Sequence, residues 1–286
     1  MFKLTNEMMK RGPMEILVIL TCFNRKDKTE KCIITLSKMN PDCEFTFVVV
    51  DDNSTDGTRE MIYNLKKKFR IFYLKGDGCL FYSGGMRKGM DFALIHLKQK
   101  YEYMFMCNDD VEFYDACIEK MAKQSEAQNN AIIVGAVQNP SGEQSYGAVK
   151  YIKGTKYRWI QINEWNIDAD TFNANAVLIP YDIFKKVGAI DAYYVHSLGD
   201  FDYGFCLKKA GYHIYSSKEY VGLCQRNSLC GGWNDIALSR CERIRKKESI
   251  KGLPTRQWFH FLKKNFGLIT ALKGCITPYI RIIIGK

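Results

Sequence analysis

The sequence predicts an α/β fold: a mainly parallel, Rossmann-like sheet, then a smaller mixed or antiparallel part, then a basic helical tail. Three observations predict it. Short apolar runs alternate with amphipathic segments through about residue 130. Two of those runs end abruptly in acids, at Asp51–Asp52 and at Asp109–Asp110. The positive charge gathers at the end of the chain, where residues 237–286 hold twelve Lys or Arg against two Glu. The boundaries implied are 1–130, 131–234 and 235–286.

In chain order, EILVILTCF (15–23) reads as a buried strand and is followed by a helix over 28–38. EFTFVVVDD (44–52) is a second strand, and Asp56 opens the next helix through REMIYNLKKKF. RIFYLKGD (70–77) is a third strand. GGMRKGMDFALIHLKQKY (84–101) carries Met86, Met90, Ala93, Leu94 and Leu97 at helical spacing, and YMFMCNDDVEF (103–113) is a fourth strand ending in acids. Beyond Ala131 the runs shorten: AIIVGAVQ, SYGAVKYI, YRWIQI and TFNANAVLIP read as strands, and helices follow around PYDIFKKVG and GDFDYGFCLKKAG. The Gly-rich CQRNSLCGGWND (224–235) reads as a mobile loop, and the tail as two or three basic amphipathic helices.

Composition narrows the class. At 286 residues with 47% hydrophobic and 26% charged side chains, the chain has the balance of a soluble globular protein. Eleven cysteines lie scattered with no C-x-x-C pair and no His partners at zinc spacing, which reads as reduced thiols in a cytosol. MFKLTNEMMKRG reads as a short leader into the first strand, and no apolar run reaches the roughly 18 residues of a membrane span. Net charge is +11, nearly all of it in the tail. A basic tail suits an anionic membrane surface, a phosphorylated ligand or nucleic acid. No zinc-finger or RNA-recognition signature accompanies it, so nucleic acid is not expected.

VVVDDNSTDGT (48–58) crowds acids, amides and hydroxyls into one turn. Such a burst is either a polar loop with a helix cap or a ligand site at the carboxyl end of a parallel strand. Asp109–Asp110 and the pair Asp200 and Asp202 pose the same choice, and each alone reads better as a solvated turn or helix start. Acids at the ends of two strands of one parallel sheet converge on a common edge, and that charge needs a cation or hydrogen-bond donors. A divalent metal carrying a diphosphate would supply one, because hard cations prefer carboxylate and phosphate oxygens. GGMRKG is neither a Walker loop nor a dinucleotide fingerprint.

With TCFNR (21–25), VVVDDNSTDGT, NDD (108–110) and GDFDYGFCLKKAG (199–211) in this order, the chain resembles family-2 glycosyltransferases of the GT-A fold, over roughly residues 14–225. The resemblance is to bacterial enzymes of capsule, O-antigen and other surface-polysaccharide assembly. It implies a nucleotide-sugar-binding half (1–130), an acceptor-binding half (131–234) and a C-terminal extension (235–286). Thr21, Phe23, Asn24 and Arg25 would frame the nucleotide, and Asp52 would accept from the imide of a pyrimidine base. Ser54 joins that group, while with Asp56 it turns the chain. Gly85 and Arg87 would approach the nucleotide and Asp109 the ribose. Asp110 would bind Mg²⁺ or Mn²⁺, although Asn108 replaces the first acid of the family pattern and the usual downstream metal-binding His is missing. Asp200 falls on the catalytic base, and Asp202 and Trp233 are expected at the acceptor.

The function implied is an inverting, metal-dependent hexosyl- or deoxyhexosyltransferase. It would move sugar from a UDP- or dTDP-linked donor to a hydroxyl of a glycan, of the polyprenyl-diphosphate-linked kind. The place implied is the cytoplasm or, peripherally, the inner face of the plasma membrane: the tail either lies on an acidic membrane surface or packs on the catalytic domain or on a second subunit. A catalytically silent sugar-nucleotide-binding subunit and a nucleotidyltransferase are the alternatives. The second would need a Gly-rich triphosphate loop after the first strand, where TCFNRKDK has none.

Overall fold

A computed structural model describes residues 12–226 and 230–285. The N-terminal leader and part of the Gly-rich loop, residues 227–229, lie outside the described residues. The predicted alternation is present as β1 (Met14–Cys22), α1 (Lys26–Met39), β2 (Cys43–Asp51), α2 (Thr58–Leu65), β3 (Arg70–Lys75), α3 (Phe81–His96) and β4 (Tyr103–Cys107). Then come β5 (Glu112–Phe113), α4 (Cys117–Ala127), β6 (Ile132–Gln138), β7 (Gln144–Tyr146), β8 (Ala148–Lys153), β9 (Lys156–Trp159), β10 (Thr171–Phe172) and β11 (Ala176–Pro180). The chain continues through α5 (Tyr181–Val187), α6 (Gly199–Lys209), β12 (Ile214–Leu223), α7 (Arg240–Glu248), α8 (Thr255–Phe266) and α9 (Leu268–Ile283). The expectations from sequence miss α4 and β12.

One sheet runs in the order β3-β2-β1-β4-β11-β6-β12-β5, with β7 beside β6, and β10-β8-β9 form a small antiparallel sheet. Strands β3, β2, β1 and β4 are mutually parallel. β11 enters antiparallel between β4 and β6, so Met104 of β4 lies between Leu17 of β1 and Ile179 of β11. Period-two alternation sends Ile16, Val18 and Leu20 to one face, against α1, α2 and α4. It sends Leu17, Ile19 and Val48 to the other, against Met86, Met90 and Ala93 of α3 and the α5–α6 side. Burial on both faces is why these strands read as unbroken apolar runs.

α3 begins at Phe81, three residues before the predicted start. The Asp52 carboxylate, from the end of β2, accepts from the backbone N–H groups of Gly78 (2.9 Å), Leu80 (3.3 Å) and Phe81 (2.9 Å), which fixes the helix entry. Asp56 acts as the predicted local cap, accepting from the Thr58 N–H at 3.1 Å. Its other oxygen accepts from the Lys26 N–H at 2.9 Å and so ties α1 to the same turn.

The tail folds onto the body. Phe261, Leu262 and Ala271 form a third apolar cluster with Tyr194, packed against Phe201 and Phe205 of α6. Gly274 makes the α8–α9 crossing close, since a Cβ there would sit 2.3 Å from Leu262 Cδ1. A proline inside a helix ends or kinks it; α9 continues through Pro278 to Ile283. The Gly274 carbonyl, which Pro278 has no N–H to serve, accepts instead from the Trp258 indole at 3.1 Å. Lys247, fully buried, reaches Glu248 (2.5 Å) and Thr255 (2.6 Å) and lies over the Tyr279 ring, which joins all three tail helices.

Docking of α8 has a charged centre. Lys264 donates to the buried Asp202 of α6 at 2.6 Å, and Asn265 donates to its other oxygen at 3.0 Å. Lys264→Ala leaves that carboxylate with the amide and the weak Cys206 thiol donor at 3.7 Å. We expect it to cost about 3 kcal/mol, the low end for a broken buried pair, read as a lower urea midpoint at unchanged m-value.

Candidate active site

A cleft of about 840 Å³ opens over the carboxyl ends of β1, β2 and β4. Its walls include Thr21, Phe23, Arg25, Asp52, Asp109, Asp110, Asp200 and Trp233, so eight of the residues singled out from sequence converge there. Parallel pairing causes this for the first six: β2 and β4 flank β1, and all three chains turn out of the sheet at the same edge. Thr21 is held by its hydroxyl donating to the Val50 carbonyl at 3.1 Å, and the Phe23 ring is half exposed at the mouth. Asp52, 4% exposed, already accepts three N–H groups. A carboxylate offers about four lone-pair sites, which leaves room for one further donor from the cleft.

The acids after β4 meet a cation of the chain itself. One nitrogen of Arg25, Nη1, donates to Asp109 at 3.0 Å and to Asp110 at 2.9 Å. Thr29 donates to the second Asp109 oxygen at 3.1 Å. Burial pushes the Asp109 carboxyl up to about 6, with Arg25 opposing the rise. Among the described residues no group of three or more His, Cys, Asp or Glu is placed to hold a metal. The Cys224 thiol lies 3.7 Å from Asp110, and burial pushes its pKa up to about 12; a soft sulfur is in any case a poor ligand for a hard cation. Asp110, more exposed than Asp109, fits an Mg²⁺ or Mn²⁺ completed by ligand phosphates, the usual arrangement for magnesium, and does not fit a protein cage.

Across the cleft, Asp200 sits in the first turn of α6 and accepts from the Phe201 N–H at 2.9 Å and the Ala174 N–H at 3.2 Å. Burial pushes its carboxyl up to about 6 against those two bonds. Asp202 takes another place from the one expected. Two residues along a helix is about 200° of rotation, so it points away from the cleft into the α8 contact.

Other predicted residues act one step behind the cleft. Asn24 and Ser54 clip the first two loops together: the Asn24 N–H donates to Ser54 Oγ at 2.9 Å, and Asn24 Oδ1 accepts from the Thr55 N–H at 2.8 Å. Gly85 is a packing residue, because a Cβ there would lie 2.3 Å from Thr21 Oγ1. Arg87 does not line the cleft; it donates to the carbonyls of Tyr194 (3.1 Å) and Asp191 (3.4 Å) and holds the loop before α6. Arg243 of the basic tail is buried and donates to the Trp233 carbonyl at 2.9 Å. The cleft also contains residues the motifs did not reveal: Tyr151, Tyr157, His196, Lys251 and Arg281. Burial, and then the charge of Lys251, hold His196 below the usual histidine range.

The Asp109–Arg25 pair sets a pH dependence. With its folded pKa raised, the contribution of Asp109 to stability is present below the unfolded value near about 4 and lost as pH rises through the folded one. Arg25→Ala removes the attraction opposing that loss. We expect it to destabilise the fold more at about pH 7 than at about pH 4, in urea melts at both.

Residues 17–188 match the family model described as glycosyl transferase family 2. Succinoglycan biosynthesis protein ExoA of Rhizobium meliloti (strain 1021) is 22% identical over 207 residues, covering 70% of this chain and 59% of its own. An uncharacterized protein of Methanocaldococcus jannaschii is 27% identical over 122 residues, covering 42% of this chain and 51% of its own. The chain therefore spans a half to three fifths of the length of these relatives. Among solved structures, Staphylococcus aureus TarS 1–349 in complex with UDP-GlcNAc superposes with a TM-score of 0.56 at 15% identity, covering 94% of this chain and 83% of that one. Mannosyltransferase PcManGT from Pyrobaculum calidifontis, in complex with GDP-Man and Mn²⁺, gives 0.57 at 11% identity, covering 94% and 73%. These likenesses establish the GT-A fold. The motif order, the shared sheet edge and the matched span agree: the chain belongs to glycosyl transferase family 2.

Proposed function

We propose that the protein is an inverting glycosyltransferase that moves a sugar from a nucleotide-sugar donor to a hydroxyl of a lipid-linked glycan in surface-polysaccharide assembly. A pyrimidine donor, UDP- or dTDP-linked, is favoured by the free lone pair of Asp52, which suits a ring N–H. The place proposed is the cytoplasmic face of the membrane. The observation that carries the reading is Asp200: a carboxylate on the cleft wall with a pKa near the operating pH of a general base, facing the acids at the sheet edge.

In the reaction, the acceptor O–H gives its proton to Asp200 as its oxygen bonds to the anomeric carbon. The bond from that carbon to the donor phosphate breaks on the opposite face, and the nucleoside diphosphate leaves with the electron pair. Asp110, with Asp109 behind it, would hold the divalent ion, which when bound offsets charge on the leaving diphosphate. Phe23 and Thr21 frame the nucleoside, and Trp233 stands on the wall where an acceptor sugar would stack. Arg25 partly compensates Asp109 and Asp110 before the donor arrives.

Incubation with a panel of nucleotide sugars and a lipid-linked acceptor should release nucleoside diphosphate and give a product of inverted anomeric configuration by NMR. Pyrophosphate release would show a nucleotidyltransferase, and donor binding without turnover a silent subunit. Asp200→Asn should lower kcat by about 10²–10⁴ and leave donor affinity unchanged. In the wild type, log(kcat/KM) should fall with unit slope as pH drops below about 6, because the base must be ionised. Asp110→Asn, by contrast, should weaken metal-dependent nucleotide binding about tenfold or more in calorimetry, with little change in melting temperature.

A further inference from the structure

Packing the tail onto the body uses only one side of α9. Ala271, Pro278 and Ile282 are buried, and Gly274, Thr277, Pro278 and Arg281 face the cleft. The remaining face is not polar. Leu268, Leu272, Ile276 and Ile280 follow one another every fourth residue and are 51–58% exposed, with Ile269 71% exposed beside them. At about 100° per residue these side chains form one continuous ridge. Lys273 and Arg281 lie along the flank of that ridge nearest the cleft, and both are exposed. Residues 255–286 contain six Lys or Arg and no acid. A run of large aliphatic side chains kept in water needs a partner.

We infer that this ridge is the face by which the protein seats on an anionic lipid bilayer, its isoleucines at the acyl boundary and Lys273 and Arg281 among the headgroup phosphates. Charge decides the occupant. A second copy meeting the ridge through two-fold symmetry would bring basic flank against basic flank, whereas an anionic surface complements it. No helix among the described residues is long and apolar enough to cross a membrane, so the segment lies on the surface. Continuity with the active site gives the seating a purpose. Arg281 belongs both to the flank and to the cleft wall, with Lys251 nearby on that wall, so the mouth opens at headgroup level. An acceptor whose diphosphate sits at the membrane surface can then enter without leaving the bilayer. This deepens the proposed function but is tested separately from it.

Removing α9 would be a poor test, because it uncovers Leu262 and Trp258 and takes away part of the cleft. Ile276→Glu with Ile280→Glu changes only exposed side chains. Full-length protein should co-sediment with vesicles of phosphatidylcholine and phosphatidylglycerol in low salt. It should bind pure phosphatidylcholine at least about tenfold more weakly. The double variant should lose about tenfold or more of the anionic binding while keeping its melting temperature and its donor turnover with a short soluble acceptor. Wild-type protein that ignores the anionic vesicles overturns the inference. So does a double variant that binds them as wild type does, or a concentration-dependent dimer dissolved by the variant in the absence of lipid binding. Vesicle binding without any glycosyl transfer would sink the proposed function and leave the seating intact.

Discussion

A carboxylate buried at the end of a strand must be given donors, and the loops of this protein are arranged to give them. Asp51 accepts from the Ser54 N–H and the Tyr73 hydroxyl, and Asp52 from the turn before α3. Asp109 accepts from Arg25 and Thr29, and Asp200 from Phe201 and Ala174. Asp51, Asp52 and Asp200 thereby fix backbone around the cleft, and Asp109 holds two side chains at the start of α1. An unpaired buried carboxylate would be neutral or costly, so loop shape and charge state are a single constraint. Asp109 and Asp200 are incompletely compensated, which is why burial dominates their titration.

The consequence is a cleft with two chemically different walls. The parallel half of the sheet contributes its acids, with Arg25 lying across the last two. The C-terminal helices contribute Arg281, Trp258 and Pro278, and the turn between α7 and α8 contributes Lys251 and Leu253. The tail is thus part of the cleft as well as a basic appendage, and the Lys264–Asp202 contact holds that wall to the helix that carries Asp200 in its first turn. An anionic, partly apolar ligand meets cationic side chains on one wall and polar anchoring groups on the other.

Much of this was legible in the sequence because the signals were local. A β-branched run ending in Asp-Asp announces a strand end, and that motif with three others in family order pointed to the fold and to residues that line the cleft. The far wall was not legible. Tyr151, Tyr157, His196, Lys251 and Arg281 come from five separate segments, and only tertiary packing brings them together. Strand β12 escaped notice because Ser216, Ser217, Lys218 and Glu219 interrupt its alternation where its register with β6 shifts. Asp200 and Asp202 are indistinguishable as letters; the helix period separates one into the cleft and the other into a buried ion pair. Gly85 and Arg87 sit beside the nucleotide motif in sequence, yet Gly85 serves the fit of α3 on β1 and Arg87 serves a loop.

The insertion of β11 between β4 and β6 also bears on how the chain is made. β1 through β4 are complete once Cys107 has been synthesised, but the strand that covers the outer side of β4 does not begin until Ala176. At roughly 5–20 residues per second, several seconds of translation separate the two. Throughout that interval YMFMC, fully buried in the finished protein, presents a bare hydrogen-bonding edge flanked by apolar side chains, the kind of template on which nascent chains aggregate. The hazard to this protein is therefore greatest on the ribosome, while a strand destined for the middle of the sheet is still its border.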